Sequence, residues 1–392
     1  MATTTVTGVQ YSGIWTMQQV NAAIAAGTWP VGSPNFLYGW GFNNYGQAGL
    51  GNTTLTTAPT LVSADTWSSV ASTSEATSLY NVAIKNNGTL WVWGFNAYGN
   101  LGLGNTTYYS SPKQVGALTA WSKVSTGGGH TLAIKTDGTL WSWGNNNQGQ
   151  LGLGNTTNYS SPKQIGALTN WSSISGSSFI SFAVKTDGTM WSWGYNGDGA
   201  LGLNNLTNYS SPKQIGALTT WLKIAGGYAN CFAIKTDGTA WCWGRSSVGQ
   251  LGLGNLTTYS SPKQIGALTD WAIISSGARS TSFAGFTAAI KTGGSLWSWG
   301  YNPQGQLGIG NTTNYSSPKQ VGSLTNWSKV VAGSSSCFSI KTDGTLWAWG
   351  RNDKNELALG NATNYSSPKQ VGSLTTWLQV AAGYFAGVGI TS

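Results

Sequence analysis

Residues 121–144 read WSKVSTGGGHTLAIKTDGTLWSWG. Two short runs, 121–128 and 130–135, precede a Lys-Thr-Asp-Gly-Thr turn, and a third run, 139–144, follows it. Asp-Gly between alternating apolar runs is a strong hairpin signal, because Gly takes positive φ at no steric cost. The stretch therefore predicts three antiparallel strands, A, B and C. A long connection, NNNQGQLGLGNTTNYSSP, leads to a fourth short strand D, KQIG (163–166). The ALTNW corner then returns the chain to the next strand A. Asp137, Asp187, Asp237 and Asp343 recur in the B–C turn and read as turn residues rather than catalytic acids.

Strand C carries Trp-x-Trp. With a period of two, Trp141 and Trp143 point to one face and Leu140 and Ser142 to the other. A lone four-stranded sheet cannot bury both faces, so each sheet needs a neighbour on either side. Sheets packed face to face around a ring meet that need, which is a β-propeller. The Trp-Gly anchor recurs at Trp40, Trp93, Trp143, Trp193, Trp243, Trp299 and Trp349, with spacings of 53, 50, 50, 50, 56 and 50. Such regular self-similarity marks a repeat architecture. A further Trp closes each repeat (Trp67, Trp121, Trp171, Trp221, Trp271, Trp327, Trp377) and is expected between blades too.

The expected fold is all-β: a seven-bladed propeller of four-stranded antiparallel blades over residues 36–392, preceded by a short arm, 1–35. The chain ends on a strand B without a strand C, and its repeats begin on a strand C at 35–41. Residues 387–390 are thus expected to pair antiparallel with 36–40, closing the ring and hiding its sheet edges. In the arm, Thr16 can cap one helix over about 17–26 with Met17, Val20 and Ile24 on its apolar face and Gly27 as its stop. That helix lies between Trp15 and Trp29 and needs a surface, either its own propeller or another chain.

Trp-Gly, then Asn-x-x-Gly-Gln-Leu-Gly, then Gly-x-x-His-Thr-Leu-Ala-Ile and Asp-Gly resembles the regulator-of-chromosome-condensation repeat. The match is best at 128–134, 137–138 and 143–151 and extends over all seven repeats. The resemblance implies a seven-bladed propeller. The functions it implies are diverse: nucleotide exchange on a small GTPase, chromatin docking, or inhibition of β-lactamase by a secreted bacterial protein. None carries over residue by residue, since fold does not give function. Neither an exchange wedge nor a basic chromatin-binding tail before Asn35 is recognisable. Residues 11–30, YSGIWTMQQVNAAIAAGTWP, resemble short segments of virion and tail proteins of marine bacteriophages.

Charged residues make up 7% of the 392 residues, with 56 Gly and 22 Trp. Many aromatics at low charge argue against disorder. The net charge of +9 raises the question of nucleic acid. However, twelve of the 16 Lys recur at two fixed repeat positions (85, 135, 185, 235, 291, 341 and 113, 163, 213, 263, 319, 369). A ring spreads such charges evenly instead of gathering a patch, so no specific nucleic-acid partner is expected. No apolar run reaches the length of a membrane span, and the start, MATTTVTGVQ, has no secretory pattern. Three cysteines, Cys231, Cys242 and Cys337, cannot form a disulfide framework. Cys231 should face Trp243 rather than Cys242 across strands B and C.

No catalytic set, metal cluster or cofactor motif emerges, so no enzyme and no cofactor is expected. The single histidine, His130, sits at a structural repeat position. The acids outside turns are scattered, and Gly149, Gly152 and Gly154 do not form a dinucleotide fingerprint. Comparing the repeats with one another locates the asymmetry. The B–C turn and the D–A corner are nearly constant, whereas the A–B loop and the segment after Trp-Gly vary, and a meander puts both variable sets on one face. That face supplies the candidate partner-binding residues: Phe95, Tyr98, Phe179, Tyr195, Tyr228, Arg245, Arg279, Phe283, Phe286, Tyr301, Arg351, Lys354 and Tyr384. The alternative is drift in unconstrained loops. The constant NTTNYSSP reads either as an Asx-turn before a proline that opens edge strand D, or as a repeated glycan rim using Asn155, Thr156 and Tyr159.

The expected function is a non-enzymatic structural or adhesive protein on the exterior of a bacteriophage particle, made in the host cytoplasm. Its arm would meet other virion proteins, and its variable face a host-surface glycan or protein. The alternative is a free interaction module that inhibits or regulates a globular partner; a GTPase exchange factor is the third reading. Truncating one inter-blade Trp to Ala is expected to cost about 3–5 kcal/mol, measured by urea unfolding.

Overall fold

The computed structural model describes residues 35–76, 78–279 and 284–392. Their strands form seven four-stranded sheets, each hydrogen-bonded in the order A–B–C–D. Blade 2 is representative: A is Trp121–Thr126, B His130–Lys135, C Leu140–Gly144 and D Tyr159–Gln164. Strand A lies innermost, and the seven A strands line a central channel. In the four B–C turns that carry it, the Asp-Gly signal does what its chemistry predicts. Asp137 Oδ1 accepts the Thr139 N–H at 2.9 Å and its hydroxyl at 2.6 Å, and Gly138 sits at φ 78°.

Both faces of each sheet are buried, as Trp-x-Trp requires. Trp143 and Trp121 pack with Val82, Leu90 and Leu101 of blade 1. On the opposite face Leu132, Ile134 and Leu140 pack with Trp171 and Trp193 of blade 3. Cys231 pairs with Trp243, and Phe232 with Cys242, so the two thiols enter different core clusters. All three cysteines are free and buried.

The ring closes as the sequence predicts. In blade 7, Trp377–Ala382 and Ala386–Thr391 supply A and B, and Asn35–Gly41 and Thr56–Asp65 supply C and D. Leu37 pairs with Ile390, Tyr38 with Gly389, Gly39 with Val388 and Trp40 with Gly387. A second, non-local ring runs through the molecule. The indole N–H of each Trp-Gly tryptophan bonds to a carbonyl in the preceding blade's C–D loop. Trp93 donates to Gln47, Trp143 to Asn100, Trp193 to Gln150, Trp243 to Ala200, Trp299 to Gln250 and Trp349 to Gln306. Trp40 completes the circuit on Glu356 at 3.0 Å.

Two expectations need correction. Strand D begins at Tyr159, not at Lys163, and Pro162 lies inside it. Tyr159 pairs with Gly144 and Lys163 with Ser142, with a register shift between them. An edge strand tolerates a residue without N–H at such an irregularity. The extra residues behind the spacing of 56, expected in the variable A–B loop around Arg279–Phe286, do not simply lengthen that loop, because strands A and B extend into them as a ladder, Gly277 with Phe286 and Arg279 with Ala284. The arm helix expected over 17–26, with Trp15, Met17, Val20, Ile24 and Trp29, lies outside the described residues.

The glycine that lets the loop carbonyl meet the next Trp sits at positive φ, as at Gly152 and Gly308 (both 71°). A Cβ at Gly152 would lie 2.7 Å from Trp193 Nε1. At the equivalent position in blade 6 the chain has Ala358, at φ 58°. A left-handed conformation costs an L-residue about 1–2 kcal/mol, partly offset by the greater freedom of unfolded Gly. Ala358→Gly is therefore expected to stabilise the protein by about 0.5–1 kcal/mol, measured as a higher urea midpoint at unchanged slope.

Candidate interaction face and central channel

The A–B and C–D loops meet on one face, as the meander predicts. Backbone bonds join them within each blade: Phe95 N–H to Leu79 O at 2.9 Å, Asn145 to Gly129 at 2.8 Å and Arg245 to Ala229 at 2.9 Å. The loops are held from below by a repeated asparagine. Asn146 Oδ1 accepts the Leu151 N–H at 2.8 Å, and its Nδ2 donates to the carbonyls of Asn155 and Thr157 at 3.0 Å. The variable side chains thus stand on a rigid base.

Where one C–D loop meets the next blade, some repeats use a polar pair. Gln148 Oε1 accepts from Asn208 at 3.0 Å and Gln304 from Asn364 at 2.8 Å. At the same positions between blades 7 and 1 stand Tyr45 and Tyr108, edge to face at 5.8 Å. Phe95 lies beneath them, 5.5 Å from Tyr45 and 5.0 Å from Tyr108, with Tyr98 at 5.8 Å. Phe95 is buried, but Tyr45 is 36% and Tyr108 43% exposed, so the cluster presents an aromatic surface. Neither exposed tyrosine was singled out from the sequence, because the constant frame around them hides two aromatic replacements sixty-three residues apart in the chain.

A second cluster lies at the junction of blades 6 and 7. Arg351 stacks on Phe385 at 4.6 Å and donates through Nη2 to Asp353 Oδ2 at 2.6 Å. Tyr384 is buried against Phe385, with ring centroids 4.0 Å apart, and Lys354 is exposed. Glu356 occupies the place that Gln150 and Gln306 hold elsewhere, and its Oε2 accepts the Lys354 N–H at 2.8 Å. Oε1 has no hydrogen-bond partner. Burial pushes the Glu356 carboxyl up to about 7, although Arg351, 3.9 Å away, pulls the other way.

The remaining candidates divide. Phe179, Tyr195, Tyr228, Arg245 and Tyr301 are half-buried in the loop face, and Arg245 pairs with Asp198 at 3.6 Å. Phe286 belongs to the core, not the surface. It is 1% exposed and packs with Ile290, Leu296 and Trp327, because the lengthened ladder places it opposite Gly300 inside strand B. Phe283 lies outside the described residues, and of Arg279 only the backbone is described. Around the rim, Asn155 Oδ1 accepts the Thr157 N–H at 3.0 Å and its Nδ2 donates to Tyr159 Oη at 3.3 Å. Lys163 covers the Tyr159 ring at 5.4 Å. The Asx-turn thus engages the polar atoms of Asn155, leaving Thr156 exposed.

The central channel encloses about 470 Å³. Hydrogen bonds between neighbouring A strands brace it: Gly176 N–H to Ser125 Oγ and Gly226 N–H to Ser175 Oγ, both 2.9 Å, and Val70 N–H to Gln379 Oε1 at 3.1 Å. At the loop-face end, Thr73 Oγ1 donates to Gly127 O at 3.2 Å and Ser177 Oγ to Gly227 O. Glu75 lines this end. It sits in an insertion of the blade 1 A–B loop, signalled in the sequence by the spacing of 53 between Trp40 and Trp93. His130 is fully buried with Nε2 2.9 Å from Ser181 Oγ, and burial pushes its pKa down to about 3. It is a neutral inter-blade strut. Among the described residues no group of three or more His, Cys, Asp or Glu could hold a metal ion, and no helix is long and apolar enough to cross a membrane.

A closed seven-bladed ring with an irregular loop face over a braced channel defines the class. The model of the RCC1-like domain matches residues 74–323, and that of the regulator of chromosome condensation (RCC1) repeat matches residues 35–77 and 343–388. The chain belongs to the RCC1-like domain family. Its fold is similar to that of human WBSCR16 (20% identity, TM-score 0.79, covering 91% of this chain and 99% of that one). It is also similar to that of Prp20p from Saccharomyces cerevisiae (19% identity, TM-score 0.78, 92% of each chain), described with its binding properties to Gsp1p and histones. A third similar structure is yeast RCC1 (Prp20) bound to Kap60 (18% identity, TM-score 0.79, 100% of this chain and 96% of that one).

Glu356 generates a pH dependence of stability. Its folded pKa, about 7, lies above the ordinary value near 4.5, so the folded state holds the proton more tightly. The stability it contributes is complete below pH 4.5 and is lost as pH rises through 7. Glu356→Gln, which mimics the protonated acid, is expected to match the parent at pH 4.5 and to exceed it by up to about 3 kcal/mol at pH 8.5. Urea unfolding at the two pH values checks this.

Proposed function

We propose that this chain is a non-catalytic interaction module that binds a globular protein on its variable loop face. The observation that carries this reading is the exposed Tyr45–Tyr108 pair above Phe95, standing where other blade junctions use Gln–Asn hydrogen bonds. Aromatic side chains on a rigid base supply contact area at low entropic cost, and Tyr and Arg are enriched in interface hot spots. Half-buried Tyr195, Tyr228, Arg245 and Tyr301 extend the surface around the ring. Protein binding is also what the fold serves in yeast Prp20p, described as binding Gsp1p and histones.

A narrower form of the reading places the module on the exterior of a bacteriophage particle, bound to other virion proteins through residues 1–35. It draws on the resemblance of residues 11–30 to virion and tail segments. Deleting 1–34 tests it: the truncated protein should fold but no longer enter particles.

For the loop face, a Tyr45→Ser/Tyr108→Ser variant is compared with a Leu118→Ser/Leu168→Ser variant in the constant corners, using affinity capture from the source cells. The first is expected to lose the captured partner, with apparent affinity falling at least tenfold, while the second keeps it. Capture unchanged in the tyrosine variant would refute the assignment. Binding to a surface polysaccharide array in place of protein would move it to a glycan. Accelerated nucleotide release from a captured small GTPase would make it an exchange factor.

A further inference from the structure

The mouth of the central channel holds a carboxyl, that of Glu75, without a counter-ion among the described residues. Glu75 is 5% exposed, and its Oε1 makes no hydrogen bond. The Ser178 hydroxyl, from blade 3, is buried beside it, and its interaction with the carboxyl favours the charged form. Both line the cavity of about 470 Å³. The other six A–B loops place no acid here: their residues are Gly127 to Gly129, Ser177 to Phe179, Gly227 to Ala229, Gly333 to Ser335 and Gly383 to Phe385, and the blade 5 insertion contains no Asp or Glu. A buried charge without a partner is costly, and the small residues that face it from other loops, Gly127, Ser177 and Gly227, leave room for something to lie against it.

We propose that the channel mouth binds a primary alkylammonium group, with Glu75 as its counter-ion and Ser178 as a second acceptor. The cavity walls carry both parts of that chemistry. Val70, Val331, Ala332 and Val380 offer apolar surface for an alkyl stem; Ser125 and Thr126, at the same repeat positions as Val331 and Ala332, and Ser177 at the mouth add hydroxyls. A primary ammonium is compact enough to sit between the Glu75 carboxylate and the Ser178 hydroxyl, and its three N–H donors can serve both. The groups facing Glu75 from other blades agree. Tyr228, in blade 4, feels its charge, and Arg245 is engaged with Asp198. Burial pushes the Glu75 carboxyl up to about 7, so it is half-ionised near neutrality and an arriving cation would complete its ionisation. On the reading of this face as protein-binding, the bearer of the ammonium is a lysine side chain of the partner. The inference rests on that reading only for the bearer.

The test needs no partner. n-Butylammonium chloride is titrated into the full chain at pH 7.5, with sodium chloride holding ionic strength constant, and the amide resonances of Gly127, Gly128 and Ser178 are followed by NMR. Saturable shifts confined to the channel mouth are expected, at least tenfold weaker in Glu75→Gln, together with a fall in the Glu75 carboxyl titration midpoint. Glu75→Gln imitates the protonated acid and should fold. Ser178→Ala, expected to weaken binding severalfold, is the second variant. Shifts that do not saturate, or that persist unchanged in both variants, overturn the inference while leaving the partner-capture result standing. Loss of the partner in the tyrosine variant with normal amine binding would in turn separate the two.

Discussion

Everything in this molecule depends on one contact made seven times: the strand C tryptophan, buried between two sheets, donating its indole N–H to a loop carbonyl of the blade before it. The ring fills the gap between sheets, and the hydrogen bond satisfies the one polar atom that such burial would otherwise strand. The contact also dictates its surroundings. The donor reaches its carbonyl only if the loop backbone comes close, and it comes close through a left-handed residue two positions on, glycine at 49, 102, 152, 202, 252 and 308 and Ala358 in blade 6. The Leu-Gly of each long connection is therefore the other half of the tryptophan.

Because the contact reaches from blade to blade, no blade can be complete alone, and the last must find the first. The chain solves this by dividing blade 7 between its two ends, so that Trp40, early in the sequence, donates to Glu356, late in it. Departures from the repeat gather at this junction of blades 6 and 7. Asn355 and Ala358 adopt positive φ where other repeats have glycine, and Glu356 replaces glutamine. Each replacement preserves the geometry at an energetic cost, in backbone strain or in a buried carboxyl.

A scaffold so fully determined leaves its freedom on one face. The B–C turns and D–A corners must match the packing of every blade, and they hardly vary. The A–B and C–D loops carry their backbone bonds to one another and to a buried asparagine, so their outward side chains are exchangeable. Yeast Prp20p, with a similar fold at 19% identity, marks how far sequence can travel while such a ring persists.

The sequence by itself determined the blade number, the strand order, the facing of Cys231 toward Trp243 and the antiparallel pairing of 387–390 with 36–40, because these follow from local signals: hairpin turns, period-two alternation and a regular spacing. It placed the variable loops on one face for the same reason. It did not reveal that strand D starts at Tyr159 and carries Pro162 through an irregularity, since that depends on the partner strand. It did not separate Phe286, a core residue, from true loop residues, because a lengthened ladder and a longer loop look alike in one chain. Nor could it bring Tyr45 beside Tyr108, or Glu75 beside Ser178. Those encounters depend on the angle between neighbouring blades and on what converges at the axis of the ring, and only the closed tertiary structure sets either.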